Sequence, residues 1–216
     1  MFRDRKDAGE QLARALQKYA NRDDVIVLAI PRGGVEVGLE VAKALHSDFD
    51  LLICRKLAYP FNPESGFGAI CEDGTLFINQ QALQGVTQKD LYNAIEEQSK
   101  EIAHRIQTLR GGRALKDIKD KIAILVDDGI AMGSTMTAAI QMLRKLGPKK
   151  IVVAVPTASP QAVQYFGQIA DEVVALYTPF PFYAVADAYK RWYDVSDEEV
   201  LRLLADFERS IQDNKE

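Results

Sequence analysis

The chain has 216 residues, of which 47% are apolar, enough to build one sizeable core. Its formal net charge of −4 argues against sequence-independent nucleic-acid binding, which needs a cationic surface. No apolar run approaches the length of a membrane span, and the charged opening MFRDRKDAGEQLARAL lacks the apolar core of a signal peptide, so a soluble cytoplasmic protein is expected.

Ala8, Leu12, Leu16 and Tyr19 recur at helical spacing and predict an opening amphipathic helix. VIVLAI (Val25 to Ile30) is a short continuous apolar run, rich in β-branched residues and closed by Pro31, Gly33 and Gly34, which suits a buried parallel strand ending in a tight turn. Val37, Val41 and Leu45 mark the next helix, and DLLIC (Asp50 to Cys54) predicts a second strand ending at Arg55 and Lys56. Cys54 and Cys71 lie in different segments without CxxC spacing, so reduced thiols are expected.

AYPFNPESGFGAI is dense in Pro, Gly and Asn and predicts a long loop. A hairpin should follow, turning at Asp73-Gly74. Leu91, Ile95, Ile102, Ile106 and Leu109 mark a long helix ended by RGGR. IAILV (Ile122 to Val126) predicts a buried strand, and Met136 to Leu146 a helix stopped at Gly147-Pro148. KIVVAVP, a helix after Ser159 and a strand near EVVAL repeat the alternation. The closing helix carries Val200, Leu203, Leu204, Phe207 and Ile211 on one face, with Ser196 and Glu199 as a capping box. Alternating strands and helices predict an open α/β domain with a parallel sheet, whose ligands sit beyond the carboxyl ends of the strands.

The segment IAILVDDGIAMGSTMTAAI carries the strongest chemical signal. From Gly129 to Thr135, small residues let backbone N–H groups close around an anion, and the following helix points its positive end at the same spot. Ser134, Thr135 and Thr137 add hydroxyls, which suits a phosphate monoester. Position 133 is Gly, so the loop is not a Walker A motif, and GxGxxG does not occur. Asp127 and Asp128 would repel phosphate. They suit either the hydroxyls of a sugar or Mg²⁺, and a sugar phosphate satisfies both halves of the motif. Arg32 with Gly33 and Gly34 follows the first strand; taken alone the group suits a plain turn, and beside the main motif it offers a planar phosphate-binding cation with room for close backbone approach.

ILVDDGIAMGST resembles the signature of type I phosphoribosyltransferases, which bind 5-phosphoribosyl-1-pyrophosphate (PRPP). The layout is similar from about Val25 to Leu176. The resemblance implies an α/β fold with an open, mainly parallel β-sheet flanked by helices, in one domain. A small β-hairpin lid would span about residues 57–80, a hood about 177–195 and a C-terminal helix about 196–212. It implies Mg²⁺-dependent transfer of the phosphoribosyl group to a nucleobase-like nitrogen, with release of pyrophosphate. Gly129, Ile130, Ala131, Met132, Gly133, Ser134 and Thr135 would then hold the 5′-phosphate. Asp127 and Asp128 would meet the ribose hydroxyls, directly or through Mg²⁺. Arg32, Gly33, Gly34, Arg55 and Lys56 would face the pyrophosphate, although Arg55 and Lys56 equally suit a surface pair.

Ala131 stands where enzymes of 6-oxopurines carry a third acid, which disfavours hypoxanthine and guanine as acceptors. Phe180, Phe182, Tyr183 and Trp192 offer faces for a stacked base, although for any one of them packing of the last helix onto the core is the favoured reading. His46 and His104, on predicted helices, are read as surface or packing residues. A homodimer is among the expectations. A PRPP sensor without turnover and a Mg²⁺-dependent sugar-phosphate hydrolase are the other readings. Retention of Arg32, Arg55 and Lys56 favours catalysis over sensing.

Overall fold

A computed structural model describes residues 1–213, with residues 63 and 64 described by their backbone alone. In chain order the elements are α1 (Arg5–Ala15), β1 (Val25–Ala29), α2 (Gly34–Leu45), β2 (Asp48–Leu51), β3 (Cys54–Tyr59), β4 (Asn62–Cys71), β5 (Leu76–Ile78), α3 (Gln88–Arg110), β6 (Ile122–Val126), α4 (Ser134–Lys145), β7 (Lys150–Thr157), α5 (Pro160–Ile169), β8 (Glu172–Tyr177) and α6 (Asp197–Asp213).

The five-stranded sheet runs β2-β1-β6-β7-β8, and every pairing in it is parallel. The continuous apolar runs explain this. β1 and β6 are buried at every residue, as strands covered on both faces must be. Val25, Val27, Ala29, Ile124 and Val126 turn to one face, against α2. Ile26, Leu28, Ala123 and Leu125 turn to the other, against α4 and α5. The expected open, mainly parallel α/β sheet flanked by helices is the fold observed. Among the described residues, no helix is long and apolar enough to cross a membrane.

The second predicted strand is cut short. β2 ends at Leu51, and Cys54 opens a separate three-stranded sheet, β3-β4-β5. Much of the segment expected to be a loop is the antiparallel pair β3–β4. Its glycines serve close strand packing rather than flexibility. A Cβ on Gly68 would lie 2.3 Å from the Phe77 carbonyl oxygen, and one on Gly66 2.6 Å from Lys56 Cγ. The Asp73-Gly74 turn joins β4 to β5 as expected, with Gly74 at φ +84°. Ile53, Leu57, Phe67 and Ile70 pack this small sheet against Ile102 of α3.

The expectation of reduced thiols is overturned, because Cys54 and Cys71 form a disulfide. The physical reason is register: the two stand directly opposite each other on β3 and β4, with Cα atoms 4.0 Å apart. Their linear separation of 17 residues hides this. The capping box expected on α6 is half present. Glu199 N–H donates to Ser196 Oγ at 3.1 Å, while the Glu199 carboxylate accepts from the Tyr193 hydroxyl instead. A full reciprocal box occurs on α3, between Thr87 and Asp90.

Candidate functional site

The carboxyl ends of β1, β6 and β7 share one rim, with Ala29 opposite Val126 and Val126 opposite Ala154. Asp127 and Asp128 follow β6 there, and the chain then crosses to α4. The crossing is pinned at Ile130, whose N–H donates to the Thr157 carbonyl at 2.9 Å and whose carbonyl accepts from Ser159 N–H at 3.2 Å. The Ile130 side chain is buried in the core. Gly133 turns the chain into α4 at φ +80°, where a Cβ would also lie 2.6 Å from Phe166 Cζ. No side chain caps the first turn of α4, so its N–H groups stay available to an anion. The Thr137 hydroxyl is engaged by the Gly133 carbonyl at 2.9 Å.

A cavity of about 310 Å³ opens at this point. It is lined by Asp127, Gly129, Ile130, Ala131, Met132, Gly133, Ser134, Thr135 and Met136, with Lys56, Ser65 and Gly66 from the small sheet and Val185 from the segment before α6. The predicted phosphate loop, one acid and Lys56 therefore converge. Arg55 does not line this cavity. Successive strand residues point to opposite faces, and Arg55 turns to α3, where its Nε donates to Gln98 Oε1 at 2.9 Å. Burial there, with the nearby Arg105 charge, holds its guanidinium below the usual arginine range.

The two acids differ in surroundings. Asp127 accepts from Asp128 N–H at 2.8 Å; burial and the neighbouring Asp128 charge push its carboxyl well up. Asp128 Oδ2 meets Arg5 Nε at 2.9 Å. Burial pushes the Asp128 carboxyl up, and the Arg5 charge opposes that shift. The turn after β1 presses on both acids. A Cβ on Gly33 would fall 2.0 Å from Asp128 Oδ2, and one on Gly34 2.9 Å from Asp127 Cα. Arg32 follows a cis Pro31–Arg32 peptide and reaches Asp197 at 3.5 Å, with its side chain partly exposed.

The aromatic hood residues divide. Trp192 lies over the Arg5 guanidinium, 4.0 Å from its ring centroid. Tyr183 is 82% exposed, and Phe182 is half-buried; neither lines the cavity. Val185 covers Gly129 closely enough that a Cβ there would meet it at 2.5 Å. His46 ends α2 in a left-handed conformation and His104 lies on α3; both are outside the cavity lining. Sequence reasoning missed Arg5, Tyr189 and Val185. The Tyr189 hydroxyl donates to the Asp128 carbonyl at 2.6 Å. Nothing local in FRDRKD marks Arg5 as the partner of an acid 123 positions away.

A strand tipped with acids, followed by an uncapped helix behind a glycine turn, stands at the carboxyl rim of the parallel sheet, where α/β proteins place their ligands. The model of the phosphoribosyl transferase domain matches residues 3–164, and the chain belongs to that family. Two Mycobacterium tuberculosis proteins, from strains CDC 1551 / Oshkosh and ATCC 25618 / H37Rv and each named "Putative phosphoribosyl transferase", are 44% identical over 207 residues. The match takes in 94% of this chain and 46% of theirs, so the chain spans about half the length of the curated relatives it matches. The crystal structure of TT1426 from Thermus thermophilus is similar at 39% identity and TM-score 0.77, covering 95% of this chain and 98% of that one. The AQ2163 protein of Aquifex aeolicus, at 14% identity and TM-score 0.52, covers 80% of this chain and 73% of its own and shares the fold.

Proposed function

We propose that the chain transfers the 5-phosphoribosyl group from PRPP to a nucleobase-like nitrogen, releasing pyrophosphate, in one folded unit. The observation that carries the reading is the convergence of the uncapped α4 terminus, Asp127 and Lys56 on one cavity. The N–H groups of Ala131 to Thr135 and the hydroxyls of Ser134 and Thr135 receive the 5′-phosphate. Asp127 accepts hydrogen bonds from the ribose diol. The C1–O bond to pyrophosphate breaks as the acceptor nitrogen bonds to C1, and the nitrogen then loses its proton. Arg32 and Lys56 balance charge on the departing pyrophosphate, so catalysis rests on orientation and electrostatics.

Mg²⁺ suits this donor set. Asp127 offers a carboxylate held in a charge-repelling pair, and Mg²⁺ is usually bound by one or two carboxylates together with substrate phosphates and water. When bound, it would neutralise pyrophosphate oxygens. Among the described residues, no group of three or more His, Cys, Asp or Glu makes a protein-only metal cage. A role in nucleotide salvage, a cytoplasmic setting and a homodimer belong to the same proposal.

The test is to mix the protein with PRPP, Mg²⁺ and a panel of bases and to assay pyrophosphate. Release dependent on one base supports transfer. Tight binding without release would make the protein a sensor, and base-independent release a hydrolase.

A further inference from the structure

Arg5 is 3% exposed and held from several sides. Its Nε pairs with Asp128 Oδ2 at 2.9 Å, its Nη1 donates to the Tyr193 carbonyl at 2.9 Å, and its guanidinium lies 4.0 Å from the Trp192 ring centroid. The segments that carry these groups are tied together. Phe2 N–H donates to the Ala188 carbonyl, Lys190 N–H to the Phe2 carbonyl and Arg191 N–H to the Arg3 carbonyl, at 2.7, 2.8 and 2.9 Å. Asp128 is meanwhile fixed through its main-chain carbonyl by Tyr189. Of the two acids, Asp127 alone lines the cavity.

We propose that Arg5 is a positioning residue that withdraws Asp128 from the ligand, so that the adjacent acids have separate tasks. Asp127 meets the sugar. Asp128 is the keystone joining the phosphate loop to helix α1 and to the hood around Trp192. This rests on the phosphoribosyl reading. Arg suits the post because its planar fork bonds two partners while its face covers an indole, which a lysine ammonium cannot reproduce.

The chain has one tryptophan, so its fluorescence reports on the clasp directly. Arg5→Met should move Trp192 emission to longer wavelength and lower kcat by up to about 100-fold, as a misplacement of about 1 Å caused at a distance from the chemistry can, with the PRPP KM changed less than about threefold. Arg5→Lys should recover part of kcat. Asp128→Asn should match Arg5→Met in emission and kcat, and the double variant should lose no more than either alone, because one interaction is removed twice. Asp127→Asn should instead raise the PRPP dissociation constant and leave the emission in place. Losses that multiply in the double variant would overturn the proposal. So would an Asp128→Asn chain whose PRPP affinity falls as far as that of Asp127→Asn. If Arg5→Met does not fold, Arg5→Lys supplies the same comparison with Asp128→Asn in emission and kcat, and Trp192→Phe supplies it in kcat and urea midpoint. Failure of the wild-type chain to bind PRPP would remove the phosphoribosyl reading and the division of labour with it. Emission and urea midpoints across the Arg5–Asp128 cycle would still show whether the clasp exists, which tells the two failures apart.

Discussion

A methyl group on Gly34 would lie 2.9 Å from both Asp127 Cα and the Val126 carbonyl oxygen. These are backbone atoms at the end of a buried strand, and they cannot yield as a flexible side chain would. Gly34→Ala should therefore cost about 1–3 kcal/mol, the usual penalty for overpacking, and weaken PRPP binding; urea titration and calorimetry measure the two effects. Asp127→Asn should behave in the opposite way towards stability. It removes a charge that burial and Asp128 both disfavour, so its melting temperature should be no lower than that of the parent while PRPP binding falls. A drop of several degrees would refute the repulsion argument. The loop and Asp127 were legible because strand, acids and small residues are contiguous. Arg5 and Val185 were illegible because only tertiary folding brings them to the site, and neither residue type is unusual where it stands.

At the scale of elements, the β3–β4 hairpin is the instructive misreading. Pro, Gly and Asn are turn-formers in isolation, yet here the glycines admit neighbouring strands too close for a side chain. The same alternation separates Arg55 from Lys56, so a basic pair that looked like one feature serves two faces. The disulfide closes this hairpin across 17 residues. Chain-entropy reasoning gives a bridge of that span about 3 kcal/mol. Replacing both cysteines by alanine should lower the urea midpoint accordingly, and strong reductant should bring the parent to the same midpoint once the buried bridge is reached. An unchanged midpoint in the double variant would show that strand pairing alone sustains the hairpin.

Across the whole molecule, the alternation of apolar runs and amphipathic helices was enough to read the parallel sheet, since burial on both faces leaves little room for polar residues. Ties across the molecule were not readable. One joins Tyr19, Lys150 and Glu172: the Tyr19 hydroxyl and Lys150 Nζ both donate to Glu172 Oε2, at 2.6 and 2.7 Å, and Lys18 meets Oε1 at 2.7 Å. Burial pushes the Glu172 carboxyl up, but Lys150, Lys18 and Tyr19 together outweigh burial and hold it at about 2. The native protein thus takes up this proton less readily than the unfolded chain. The stabilisation is complete above the ordinary glutamate value of 4.5 and fades as pH falls towards 2. Melting temperature followed from pH 6 to about pH 2 should decline through that window, and Glu172→Gln should flatten the decline.

The pairing of Phe2 with Ala188 and Lys190 has a consequence for synthesis on the ribosome, where a chain emerges from its first residue onward. By the time Phe166 has left the exit tunnel, the turn around Gly133 can already be pinned to Thr157 and Ser159, while helix α1 still waits for the Ala188–Tyr193 segment that completes its clasp. A nascent polypeptide stalled between Phe166 and Ala188 should hold the Gly133 turn without the anchored Asp128 beside it, and gain that anchor only when translation delivers Ala188 to Tyr193.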